Sequence, residues 1–97
     1  MSTESFSVRI SPKTVANKAL AMMRRAKLPN LKLQECGINQ QGDGFVAAAR
    51  WQESGFFGGS VELRVEARKS YSGGTEVVIA SPGEKFAGLV ERLRRNL

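Results

Sequence analysis

Catalysis needs side chains that move protons, attack an electrophile or hold a metal, and this chain is short of all of them. It contains no histidine, so the usual general base near neutral pH and the commonest transition-metal ligand are absent. A single cysteine, Cys36, and a single aspartate, Asp43, cannot supply the ligand spacings of a zinc cluster. Asp43 lies in Gly42-Asp43-Gly44, but the acidic and amide positions of a calcium loop are missing around it, so the stretch reads as a turn. Cys36 has no histidine to activate it and falls in a strand-like run, where a lone cysteine serves as a small apolar residue. Neither Gly58-Gly59 nor Gly73-Gly74 precedes the Lys-Ser/Thr and helix of a phosphate loop. The eight glutamates are scattered, with no pair spaced for acid–base work. The sequence therefore predicts no catalytic residue, no metal ligand, no cofactor and no enzyme activity.

What the sequence does offer is an uneven charge. The formal net charge is +6, yet residues 33–91 carry eight acids against five bases. The excess of base lies in residues 11–32, which hold Lys13, Lys18, Arg24, Arg25, Lys27 and Lys32 and no acid. A second, smaller group, Arg92, Arg94 and Arg95, closes the chain. At about 100° per residue, Lys13, Asn17, Lys18, Arg24, Arg25 and Lys27 share a helix face opposite Val15, Ala19 and Met22. Like charges on one face repel, and no acid four residues away relieves them. An anionic partner would: nucleic acid phosphates, an acidic protein surface or anionic lipid headgroups, of which nucleic acid or an acidic protein is the expected one. Aromatic residues do not interleave with these bases, so contact with nucleic acid is expected mainly at phosphates, with low sequence specificity.

A competing reading centres on WQESGFFGG, residues 51–59, where Trp51, Phe56 and Phe57 stand among three glycines. Trp51 is in phase with Phe45, Ala47 and Ala49 and is expected to be core. Phe56 and Phe57 are adjacent, so in an extended segment one of them faces outward. That residue is the candidate contact of a hydrophobic-ligand or protein-interaction module, including self-association into a homodimer.

The elements that must position these residues follow from the hydrophobic pattern. Phe6, Val8 and Ile10 alternate as a strand. Ser11-Pro12 opens a helix over 12–28, with Ser11 as cap and Pro12 at the first helical position. Val15, Ala19, Met22, Met23 and Ala26 form its apolar arc, and Leu28-Pro29 ends it. Strands are predicted at 31–38, 45–52, 60–69 and 75–80, with turns at 39–44 and 70–74. In 60–69, Val61, Leu63, Val65 and Ala67 oppose Glu62, Arg64, Glu66 and Arg68, the pattern of an antiparallel sheet with one packed and one wet face. Ser81-Pro82-Gly83-Glu84 reads as a capping box for a last helix whose apolar residues are Phe86, Leu89, Val90, Leu93 and Leu97. VRISPKTVANKAL (8–20) and VIASPGEKFAGLV (78–90) thus echo each other as two strand-to-helix corners.

The 97 residues suffice for one domain, residues 1–97. The fold class is α+β in the order β-α-β-β-β-β-α, with two helices packed on one face of a twisted antiparallel sheet. The N-terminus has no basic region followed by an apolar run, and no apolar stretch is long enough to span a bilayer. With a single cysteine, the expected setting is the reducing cytoplasm.

In element order the chain resembles small helix-grip (lipid-transfer-like) domains and the polyhydroxyalkanoate granule-associated family. GTEVVIASPGEKFAGLVERLRRNL (74–97), a last strand running into a closing helix, carries most of that likeness. The resemblance implies a space between helix and sheet, which Phe86, Leu89 and Leu93 are expected to fill. The helix, three strands and helix are also similar in order to a double-stranded-RNA-binding domain. That family begins its last helix with a lysine cluster and has a loop histidine. Here SPGEKFAG offers only Lys85, and no RNA-contacting residue carries over.

Overall fold

Apolar residues alternating over runs of five to ten residues must pair into a sheet before their buried face can be covered. In the computed structural model, which describes residues 2–55 and 58–97, five such runs do so. The strands are β1 (Ser2–Val8), β2 (Leu31–Gln41), β3 (Gly44–Glu53), β4 (Ser60–Lys69) and β5 (Thr75–Ser81). Helix α1 (Pro12–Arg25) lies between β1 and β2. After β5 a short 3-10 turn, Glu84–Phe86, leads into α2 (Ala87–Asn96). The α+β order β-α-β-β-β-β-α is therefore the observed one.

The sheet order is β1-β5-β4-β3-β2, antiparallel throughout. Strands β2 to β5 form a meander, and β1 adds to its far edge beside β5. One face carries Ala47, Ala49 and Trp51 from β3, Leu63, Val65 and Ala67 from β4, and Val77 and Ile79 from β5, all buried. Onto it pack Val15, Ala16, Ala19 and Met23 of α1, then Phe86, Leu89, Val90 and Leu93. The indole of Trp51 meets the ring of Phe86 at 5.1 Å and 50°, a tilted arrangement favoured by the ring quadrupoles.

The strand β2 solves a problem that its sequence poses. Leu31 and Leu33 are odd-numbered, whereas Cys36 and Ile38 are even, so a regular strand would send one pair to the wrong face. A bulge between Leu33 and Glu35 shifts the register, pairing Leu33 with Trp51 and Cys36 with Ala49. All four residues consequently pack against the core.

Several boundaries differ from the sequence expectation. α1 ends at Arg25 rather than at 28, because Ala26 already has extended backbone (φ −65°, ψ 129°). Residues 26–30 then reverse the chain into β2, with Asn30 in the left-handed region at φ 64°. Leu28, which packs against the core, is placed by this connector and not by the helix. The turn expected over 39–44 is shorter, since β2 continues to Gln41 and pairs with Gly44. Gly42, at φ 59°, provides the tight reversal.

The two Ser-Pro corners also part company. Ser11 caps α1, its hydroxyl accepting from the Thr14 amide at 3.3 Å. Ser81 does not cap: it is the last residue of β5, paired with Ser2, and its hydroxyl lies 2.8 Å from that of Ser2. Strand pairing holds Ser81 outside the helix, and the first turn starts from Gly83 without a side-chain cap.

The β4–β5 turn closes against the end of β1. Gly74 has φ 79°, and a Cβ there would lie 2.5 Å from the Val8 carbonyl oxygen. Gly37, in contrast, has neither a positive φ nor any atom within 4 Å of its built Cβ. Gly74→Ala is therefore expected to cost about 1–3 kcal/mol. Gly37→Ala should be neutral or stabilising by up to about 1 kcal/mol. Urea unfolding of the two variants checks this order.

Candidate anion-binding face

Helix α1 is amphipathic because its small apolar residues recur on one side. Val15, Ala16, Ala19 and Met23 are wholly buried against the sheet, and alanines let the helix approach closely. Met22, expected in the arc, is only half-buried, while Ala16 belongs to the core. The opposite side presents Lys13, Asn17, Lys18, Arg24 and Arg25, all exposed. Lys27 is exposed too, but it lies beyond the helix end, in the connector to β2.

Among the described residues no carboxylate forms an ion pair with Lys13, Lys18, Arg24, Arg25 or Lys27. The contact from this group to another element is from the Arg24 Nε, which donates to the Cys36 sulfur at 3.3 Å. That bond ties Arg24 to β2 without neutralising it. Arg24 and Arg25 occupy the last turn of α1, where positive charge complements the carbonyl end of the helix.

Several bases elsewhere have acidic neighbours, although Arg9, Lys32, Lys69 and Arg92 have none among the described residues. On the open sheet face Arg50 meets Glu35 at 2.9 Å. Arg64 stands between Glu62 at 3.9 Å and Glu66 at 3.7 Å, and Arg68 reaches Glu66 at 3.3 Å. The first pair follows from the register of β2 and β3, the others from alternating charge along β4. Their side chains are partly exposed, from 27% for Glu66 to 70% for Arg68, so each contributes little to stability, but together they leave that face with mixed sign. Val46 departs from the expected wet pattern: it is buried on the open face, beside Asn39 and Glu66 in register.

The second basic group divides. Arg94 bridges Glu4 at 3.8 Å and Glu91 at 3.6 Å, and Arg95 binds Glu91 at 3.2 Å. Arg92 has no carboxylate partner among the described residues, and its carbonyl accepts from the Asn96 side chain at 2.8 Å. The second group is thus partly neutralised by Glu4, which β1 brings to the helix-covered face, and by Glu91.

In the 51–59 segment, Trp51 is core, 1% exposed. Phe56 and Phe57 lie outside the described residues. The flanks of the segment are fixed by backbone bonds: the Glu53 amide to the Gly59 carbonyl at 2.9 Å, and the Ser54 amide to the Asn30 carbonyl at 2.9 Å. A Cβ on Gly58 would collide with the Glu53 carbonyl. Between helices and sheet, Trp51, Phe86, Leu89 and Leu93 are all buried and fill the space.

The sequence gives no reason to single out Tyr71, a lone tyrosine in the turn SYSGG. Among the described residues it is the large apolar side chain that stands fully in solvent, 111% exposed. Only its position on a closed turn, visible once the strands are paired, sets it apart.

Compared with protein-family models, curated proteins and solved structures, the chain has no match. Its function must be read from its own surface. No described helix is long and apolar enough to cross a membrane, and no described group of His, Cys, Asp and Glu side chains could hold a metal ion.

The inner and outer faces of α1 should separate stability from charge. Ser11→Ala removes the cap and should cost about 1 kcal/mol. Neutralising both bases, Arg24→Gln with Arg25→Gln, should change stability by no more than about 0.5 kcal/mol. Thermal and chemical unfolding of both variants check the contrast.

Proposed function

We propose that the protein is a non-enzymatic binding module that engages an anionic macromolecule, nucleic acid or an acidic protein surface, through the outward face of α1. The observation that carries this reading is the contrast in pairing. Lys13, Lys18, Arg24 and Arg25 project from one exposed helix face, with Lys27 just past its end, and none has an acidic partner among the described residues. Arg50, Arg64, Arg68, Lys85, Arg94 and Arg95 each have one.

A set of like charges on a rigid element raises the local concentration of a polyanion and releases its counterions on contact. No folding requirement accounts for the absence of acids from α1, because an acid on its outer face would relieve repulsion at no cost to the core. The unpaired face therefore supports binding better than it supports stability.

Because such binding is electrostatic, it should be strongly salt-dependent. With about five phosphate contacts, the logarithm of the affinity for nucleic acid should fall with the logarithm of salt at a slope of roughly −3 to −5. Reversal at Arg24→Glu and Arg25→Glu should abolish retention on heparin while the fold persists. Titration of the wild type with oligonucleotide across salt concentrations measures the slope. Absence of retention on heparin and nucleic acid at low salt would remove the nucleic-acid form of the reading.

A further inference from the structure

The end of the sheet where β1 gives way to α1 gathers residues far apart in sequence. Val8 pairs with Thr75, and the Thr75 hydroxyl donates to the Ile10 carbonyl. A Cβ on Gly74 would lie 3.7 Å from the Arg9 Cα. Arg9 is thereby brought to the β4–β5 turn at 70–74, which Lys69 enters from β4, and Lys13 follows on α1 two residues after the cap Ser11. Arg9, Lys13 and Lys69 are all exposed and show no ion pair among the described residues. Glu76, an acid close to this turn in sequence, stands opposite Arg68 in the register of β4 and β5.

Tyr71 sits at the tip of that turn with its ring in solvent. The turn is closed by its own hydrogen bonds: the Ser70 amide to the Gly74 carbonyl at 3.1 Å, and the Gly73 amide to the Ser70 carbonyl at 3.2 Å. The Ser72 amide also donates to the Ser70 hydroxyl at 3.4 Å. An aromatic ring that buries nothing adds nothing to the core, and here it is presented on a defined turn. The turn that carries it starts at Lys69 and packs, through Gly74, against the backbone of Val8 and Arg9.

That combination selects among polyanions. Phosphate contacts alone serve a duplex as well as a single strand, but a duplex keeps its base faces stacked inside. A single strand exposes both phosphates and base faces, and it is bound by basic grooves with aromatic stacking residues. An acidic protein surface has carboxylates but no obligatory flat partner for the ring. We propose that the ligand is single-stranded nucleic acid, with a base stacked on Tyr71 and phosphates on Arg9, Lys13 and Lys69. The backbone then continues along the outer face of α1 toward Arg24 and Arg25. The 14 residues of α1 extend this track by about 21 Å. This inference rests on the reading of α1 as the anion-binding face, and it adds a ring that the helix itself lacks.

The test uses short oligo(dT), oligo(rU) and a DNA duplex of equal length, at one low salt concentration. Wild type should bind both single strands more tightly than the duplex. Tyr71→Ala should weaken single-strand binding by roughly tenfold or more, leave duplex and heparin binding unchanged, and leave thermal stability unchanged. Tyr71→Phe should retain binding, because the ring remains. Tyr71→Trp should also bind, and its solvent-exposed emission should be quenched by either oligonucleotide. If single strands bind through Arg24 and Arg25 but Tyr71→Ala binds as well as wild type, stacking is overturned while the basic-face reading stands. Tighter duplex binding, or unquenched Tyr71→Trp emission at saturation, overturns it equally. If no polyanion binds, both fall together. Preference for oligo(dT) or oligo(rU) identifies DNA or RNA as the source.

Discussion

The arrangement depends on one topological constraint: β1 and β2, joined only by α1, occupy opposite edges of the same sheet. With every neighbouring pair antiparallel, β1 and β2 run in the same direction. α1 must therefore start at one end of the sheet, cross its face, and deliver the chain to the other end. Its inner side is committed to β2, β3 and β4, and small residues at Ala16 and Ala19 let it lie close. Its outer side has no element over it and is the natural place for a surface that serves something other than folding. α2 packs on the same side, with Leu89, Val90 and Leu93 in the core and Arg94 reaching Glu4 of β1. The other sheet face is left to paired charges.

The electrostatics follow from this division. On the open face Arg50 meets Glu35 across β3 and β2, and Arg64 and Arg68 meet Glu66 along β4 itself, so that face is partly neutralised. On α2, Glu91 lies one helical turn from Arg94 and Arg95 and is shared between them. α1 has no acid of its own, and the sheet's acids either face away from it or are already engaged. Its charge thus persists because the topology isolates it, not merely because the composition is basic.

The α+β order was legible because alternation over β4 is strict and turn residues bound β3 and β5, whose runs FVAAA and VVIA do not alternate. The packed side of the closing helix was equally plain in Phe86, Leu89, Val90 and Leu93. Legibility failed where one local signal admitted two outcomes. Ser81-Pro82 has the chemistry of a cap, but pairing with Ser2 claims the serine for the sheet. Leu28-Pro29 marks a limit to α1, yet the need to turn into β2 ends it earlier. Ala16 was unreadable as core because alanine is compatible with either face of a helix. The phase break in β2, from Leu33 to Cys36, becomes intelligible only when a bulge is seen opposite Trp51 and Arg50. Of the candidate site, the bases on α1 were visible as an acid-free run. Their isolation, and the packing of the turn that carries Tyr71 against Val8 and Arg9, required the strand pairing, because these segments are far apart in the chain.

The central claim is that the outer face of α1, and not the open sheet face, is the working surface of this molecule. Backbone chemical-shift mapping during titration with a heparin-derived oligosaccharide at low salt tests it most directly. The account predicts that perturbed amides concentrate along α1 and its connector, from Lys13 through Lys27, and that those of Arg50, Arg64 and Glu66 stay in place. Shifts centred on the open sheet face, with α1 unmoved, would contradict it.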